Sequence, residues 1–209
     1  MRKVEILQLD VTPWEATDAS MREWQQERIR DEREDLLVFV EHPEVVTVGP
    51  RARNDGVSPP EDYATASTDR GGGLTWHGPG QVVVYPVVHW NLEGEANVAA
   101  VIHRLEGWVI AALAELGIGG HRDERMQGVW VDGRKVCSIG LSFLRWVSRH
   151  GLTVNLDTPP GRVEALAGCG LNPDMTTSLR ALGHPVAREA LVEAMLKTAP
   201  QALNRTPLL

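Results

Sequence analysis

The chain has 209 residues, 43% of them hydrophobic, which is enough for one domain with a sizeable core and too little for several. A formal net charge of −7 and a pI near 5.5 exclude a general nucleic-acid binder, since such binding depends on Lys and Arg neutralising phosphates. Two cysteines are too few for a disulfide framework, no apolar run approaches the roughly 20 residues of a membrane span, and the first residues lack the apolar core of a secretory signal; a cytoplasmic protein is expected.

In chain order, Lys3 to Leu9 alternates in a way that predicts an opening strand, largely buried. Thr12-Pro13-Trp14-Glu15 has the form of a capping box with proline at the first helical position and predicts a helix to about Glu34. Leu36 to Val40 and Val45 to Val48 read as two strands joined by a turn at His42-Pro43. Asn54 to Asp69, rich in Pro, Asp and Ser, reads as a surface loop, and Val82 to Val88 as a strand. A helix is bounded by Asn97 as N-cap and Gly117 as its stop, with Val98, Val101, Leu105, Trp108, Ala112 and Leu116 on one face. Asp132-Gly133 between two β-rich runs predicts a hairpin, Gly151 to Leu156 a further strand, and Arg188 to Thr198 a last amphipathic helix. Strands and helices interleave without regular alternation, so the expected fold class is α/β with a mixed sheet, as a single catalytic domain over 1–209.

The densest unusual segment is Arg70-Gly71-Gly72-Gly73-Leu74-Thr75-Trp76-His77-Gly78-Pro79-Gly80-Gln81, where glycines let backbone approach a ligand closely. It is no phosphate loop, because no Gly-Lys-Ser/Thr follows, and it precedes a strand rather than a helix. The histidines lack metal-ligand spacing, so no metal site is expected, and His42 and His77 read as hydrogen-bonded structural residues. Cys137 lies in an apolar strand and reads as a small buried hydrophobe, whereas Cys169, between Gly168 and Gly170, stays open between a structural thiol and a nucleophile. A thiol of pKa about 8.5 needs a positive neighbour to react at neutral pH. Lys135, at the root of the hairpin, is a candidate, with an exposed surface lysine as the alternative. An acidic partner would have to meet Arg51 with Arg53, or Arg145 with Arg149.

Taken together these segments resemble the lipoyl(octanoyl) transferase family over nearly the whole chain. The resemblance is carried by Glu41-His42-Pro43, Arg70-Gly71-Gly72, His77-Gly78-Pro79-Gly80-Gln81, Gly128-Val129-Trp130-Val131, Lys135-Val136-Cys137-Ser138-Ile139-Gly140, His150-Gly151-Leu152-Thr153-Val154-Asn155-Leu156 and Cys169-Gly170-Leu171. It implies a fold shared with lipoate and biotin protein ligases, and transfer through an octanoyl thioester. Cys169 would be the nucleophile and Lys135 the residue that tunes its pKa and shuttles protons. Arg70, Gly71, Gly72, Gly73, Leu74, Thr75, Trp76 and His77, with Ser138, Ile139, Gly140, Gly151, Leu152 and Thr153, would line the acyl pocket. The resemblance further implies octanoyl-acyl carrier protein as donor, and as acceptors the lipoyl domains of 2-oxoacid dehydrogenase E2 subunits and the glycine cleavage H protein. It implies no cofactor and no ATP, while charge and hydropathy argue against a nucleic-acid or membrane partner, and a monomer is expected. The rival readings are an ATP-dependent ligase of the same fold, an amidotransferase acting between lipoyl proteins, and a non-catalytic acyl-chain binder.

Overall fold

The computed structural model describes residues 1–166 and 175–208. Seven strands form the main sheet: β1 (Arg2–Val11), β2 (Asp35–Glu41), β6 (Gln81–Val87), β7 (Val129–Val131), β8 (Arg134–Leu144), β9 (Val147–Asn155) and β10 (Arg205–Leu208), in the order β10-β1-β2-β6-β9-β8-β7. The β10-β1-β2 pairings are parallel and the others antiparallel, so the sheet is mixed, as expected. A second sheet holds β3 (Val45–Val48), β4 (Thr65–Ser67) and β5 (Leu74–His77).

Both faces of the main sheet are covered, which is why β2 and β6 read as continuous apolar runs. Leu37, Phe39, Val82, Val84, Leu152 and Val154 pack on the helices α3 (Val98–Glu115) and α4 (Arg188–Leu203). Leu36, Val38, Val40, Val83 and Tyr85 point the other way, toward α1 (Trp14–Ile29). The short helix α2 (Pro50–Asn54) joins Trp76, Val163 and Leu166 around the small sheet.

Local chemistry decides the element ends. The Asn97 side chain accepts from the Ala100 N–H at 3.0 Å, and Gly117, at φ 75°, ends α3 as the sequence indicates. The hairpin turn places both Asp132 (φ 48°) and Gly133 (φ 74°) in the left-handed region, the requirement of a two-residue turn. Four expectations need correction. The Thr12 hydroxyl bonds the Asp10 carbonyl, 2.9 Å, instead of capping α1, and Pro13 stands before the first helical residue. That helix stops at Ile29, short of Glu34, because Asp31 turns the chain at φ 56° and Arg28 bonds both Asp31 and Asp35. The strands flanking His42-Pro43 belong to different sheets, since His42 is tied to the Thr12 carbonyl and the Tyr85 hydroxyl and directs the chain out of the main sheet. The expected loop from Asn54 to Asp69 contains β4.

Candidate active site

The glycine-rich segment closes one side of a cleft of about 370 Å³ between the two sheets. Gly71 donates its N–H to the Leu141 carbonyl at 2.9 Å, laying the loop on β8. A Cβ at Gly140 would stand 2.8 Å from the Gly71 carbonyl oxygen, so only glycine admits this approach. Arg70 holds the loop from within: its guanidinium donates to the Thr47 carbonyl and hydroxyl at 3.0 and 2.8 Å and to the Gly73 carbonyl at 3.0 Å. Arg70 through Trp76, Lys135, Ser138, Ile139 and Thr153 line this cleft.

Lys135 is only 5% exposed, so the surface-lysine alternative fails. Its N–H donates to the Met175 carbonyl at 2.8 Å and its carbonyl accepts from the Thr177 N–H at 2.9 Å. The lysine backbone thus grips the chain that emerges from residues 167–174. Cys169 lies outside the described residues; Leu166, immediately before residues 167–174, and Thr176, two residues after them, both line the cleft with Lys135. Gly128, at φ 131°, leaves room for the lysine stem: a Cβ there would stand 2.6 Å from Lys135 Cε. The Gly128 N–H is fixed in turn by Glu106 at 2.9 Å. Cys137 is fully buried, and burial pushes its thiol up to about 12, against the pull of Lys135, which fits the buried-hydrophobe reading.

Behind the cleft lies a narrow inner cavity with about 20 Å³ of room, lined by His77, Gly140, Gly151 and Leu152. Arg70, Thr75, Ser138, Ile139 and Thr153 line both spaces and form the neck between them. Every acyl-pocket residue expected from the sequence therefore lines one space or the other. Four residues of the inner cavity escaped sequence reasoning: Trp14, Val83, Tyr85 and His150. They come from α1, β6 and β9, and nothing local marks them as neighbours.

His77 is the hub of a hydrogen-bonded chain. Its Nδ1–H donates to Gln81 Oε1 at 3.0 Å, because Gln81 Nε2 already donates to the Trp76 carbonyl at 2.9 Å and to Asn155 Oδ1 at 2.8 Å. Asn155 then donates to the Thr177 carbonyl at 3.0 Å, and the Thr177 N–H reaches Lys135. The His77 to Gln81 string thus positions the strand that holds the lysine. Burial, with His42 and Arg70 nearby, drives His77 well below the ordinary histidine range, so its ring is neutral. His42 is likewise lowered, first by burial. Both are structural, as expected, although His77 also faces the cavity.

The basic pairs fare differently. Arg149 is buried against Asp18 and Asp69 and forms no surface patch, and Arg53 donates to the Val48 and Thr68 carbonyls. Arg51 lines the cleft with Arg125. Among the described residues no cluster of three or more His, Cys, Asp or Glu is placed to hold a metal, and no helix is long and apolar enough to cross a membrane.

Residues 15–199 match the family described as the lipoyl protein ligase A/B catalytic domain. An octanoyltransferase of Magnetococcus marinus is 40% identical over 174 residues, covering 83% of this chain and 81% of its own. One from Caldanaerobacter subterraneus is 33% identical over 204 residues, covering 94% and 88%. Among solved structures, a bipartite lipoate protein ligase from Thermoplasma acidophilum superposes with a TM-score of 0.71 at 13% identity, over 100% of this chain and 88% of that one. Biotin protein ligase from Aquifex aeolicus gives 0.55 at 16%, over 98% and 70%. A mixed sheet opening a cleft onto a glycine-walled inner cavity, with these neighbours, is the lipoate and biotin ligase-like fold. Within it the chain belongs to the octanoyltransferase family, acyltransferases of lipoate biosynthesis that carry out octanoyl or lipoyl transfer.

Proposed function

We propose that residues 1–209 act as one catalytic domain, a cytoplasmic monomer that moves an octanoyl or lipoyl group from acyl carrier protein to one lysine of a lipoyl domain, by way of a thioester on Cys169. The E2 subunits of 2-oxoacid dehydrogenases and the glycine cleavage H protein are the acceptors. The observation that carries this reading is the buried Lys135 in a cleft walled also by Leu166 and Thr176, which lie on either side of the segment containing Cys169 in the chain.

In the first half-reaction the Cys169 thiolate attacks the carbonyl carbon of the donor thioester. The bond to the carrier sulfur breaks, and the carrier thiol leaves with a proton supplied by Lys135. In the second, the acceptor lysine amine attacks the Cys169 thioester, an amide forms, and Cys169 departs as thiolate while Lys135 takes up the amine proton. Thioester exchange is nearly isoenergetic and amide formation drives the transfer, so the balance closes without ATP. Four cations, Arg51, Arg70, Arg125 and Lys135, and no carboxylate line the cleft among the described residues, which suits an anionic donor arm.

The test is intact-protein mass after incubation with octanoyl-carrier protein. Wild type and Cys137→Ser gain one hydroxylamine-labile octanoyl group, and Cys169→Ser gains none. A wild type without the adduct, under conditions where a lipoyl domain still becomes octanoylated, means direct transfer and removes Cys169 from the mechanism.

A further inference from the structure

We infer that the far end of the inner cavity, formed by Trp14, Val83, Tyr85 and His150, is the stop that sets acyl-chain length. This rests on the acyl-transfer reading above, and extends it to a selectivity that neither the family match nor the fold assigns to any residue.

The cavity meets the outer cleft at Arg70, Thr75, Ser138, Ile139 and Thr153. Of its lining residues Thr75, Ser138, Ile139 and Gly140 are partly exposed, and the first three also line the outer cleft; all the others are buried. A chain whose carbonyl lies in the outer cleft beside Lys135 reaches the cavity through this shared neck, tail first. The inner cavity, neck included, has about 20 Å³ of room, enough for little more than one water-sized group. The tail's last carbon or two must end there.

The end wall is pinned. Strand alternation would turn residue 150 toward the α3 and α4 face, with Leu152 and Val154, but His150 adopts φ 62° and its ring lies instead against Trp14, the first residue of α1. The two rings are parallel within 7°, with centroids 6.4 Å apart. His150 Nε2 is held by Asp69 at 2.8 Å, and the Tyr85 hydroxyl donates to His42 Nε2 at 2.8 Å. Val83 is paired with Thr153 of the neck, so the two side chains share one face of the sheet and Val83 is the wall residue next to the neck. A longer acyl chain must displace a wall whose Tyr85 and His150 side chains are fixed from behind. One methylene mismatched to an apolar pocket changes kcat/KM by about 10- to 200-fold.

The experiment sets hexanoyl, octanoyl, decanoyl and dodecanoyl thioesters in competition for wild type, Trp14→Leu, Val83→Ala and Val83→Leu, with melting curves to identify folded variants. Trp14→Leu and Val83→Ala should raise the decanoyl-to-octanoyl ratio of kcat/KM at least tenfold, and Val83→Leu should raise the hexanoyl-to-octanoyl ratio. A destabilised but otherwise unaltered pocket lowers all rates without moving these ratios in opposite directions. If Trp14→Leu does not fold, the two Val83 variants decide. Ratios unchanged within twofold in the folded variants overturn the inference, while the octanoyl adduct on Cys169, measured on the same samples, reports separately on the thioester route. Ratios that shift with no adduct retain the chain-length stop and discard the thioester.

Discussion

Lys135 shows how a residue after an Asp-Gly turn comes to be buried. Its strand is capped by β7 on one side and bonded through Met175 and Thr177 on the other, and its stem passes the bare Cα of Gly128. A methyl group there would run into the Cys137 carbonyl oxygen and meet Lys135 Cε at 2.6 Å, in a backbone conformation that L side chains rarely adopt, so both the lysine stem and the β7–β8 backbone must shift. Gly128→Ala is therefore expected to slow acylation at least tenfold and to lower stability by about 1–3 kcal/mol. Single-turnover acylation across pH separates the two effects: a displaced lysine alters the shape of the pH profile, which simple destabilisation does not. The buried histidines make a second, global titration. Burial, opposed by Asp69, lowers His150 to about 4, while His77 and His42 are also depressed. Below an unfolded value of about 6.5 the unfolded chain binds the protons that these folded rings refuse, so stability is full above that pH and is lost as pH falls toward the folded values. Between pH 7 and 5, His150 alone accounts for roughly 2 kcal/mol. A urea midpoint that held steady across that interval would contradict the neutral-ring assignments.

Elements built from local signals were legible, and those built from distant partners were not. The helix α3 carries its cap, its apolar stripe and its stop within its own residues, and the Asp132-Gly133 hairpin carries its turn. The cleft wall was legible for a related reason: glycines cluster in sequence because one stretch of backbone must approach another. The inner end of the cavity was opaque because Trp14, Tyr85 and His150 converge from three elements. Nor does any periodicity announce β10, four residues long and containing Pro207. It exists because Arg205 reaches back to the start of β2, where its Nε donates to Asp35 at 2.5 Å, while its Nη2 donates to Glu95 at 2.9 Å, all three residues being almost wholly buried. Arg205→Met would leave both carboxylates without that partner, and a loss of about 3–5 kcal/mol is expected in denaturant unfolding. Arg205→Met with Asp35→Asn should recover part of it, as a double-mutant cycle would report.

On the scale of the whole molecule, the charge distribution opposes the net charge. The chain carries −7 overall, yet its cleft presents Arg51, Arg70, Arg125 and Lys135 without an acidic residue among those described. Arg70 is committed to the carbonyls of the glycine loop, and Arg125 to Asp123 and the face of Trp130, 4.4 Å from the ring centroid, while Lys135 is buried. Arg51 is the most exposed of the four, with Asp55 only at 3.8 Å. It is thus the group best placed to meet the phosphodiester of a carrier arm. Arg51→Ala is expected to raise KM for octanoyl-carrier protein about three- to fivefold at low salt, the size of one exposed charge pair, and to flatten the dependence of KM on ionic strength. With octanoyl-N-acetylcysteamine, which has the thioester but no phosphate, the same substitution should leave kcat/KM unchanged. An equal loss with both donors would place the arginine's effect on the glycine loop it adjoins through Gly72, and the anionic arm would then have to be read by the surface outside the cleft.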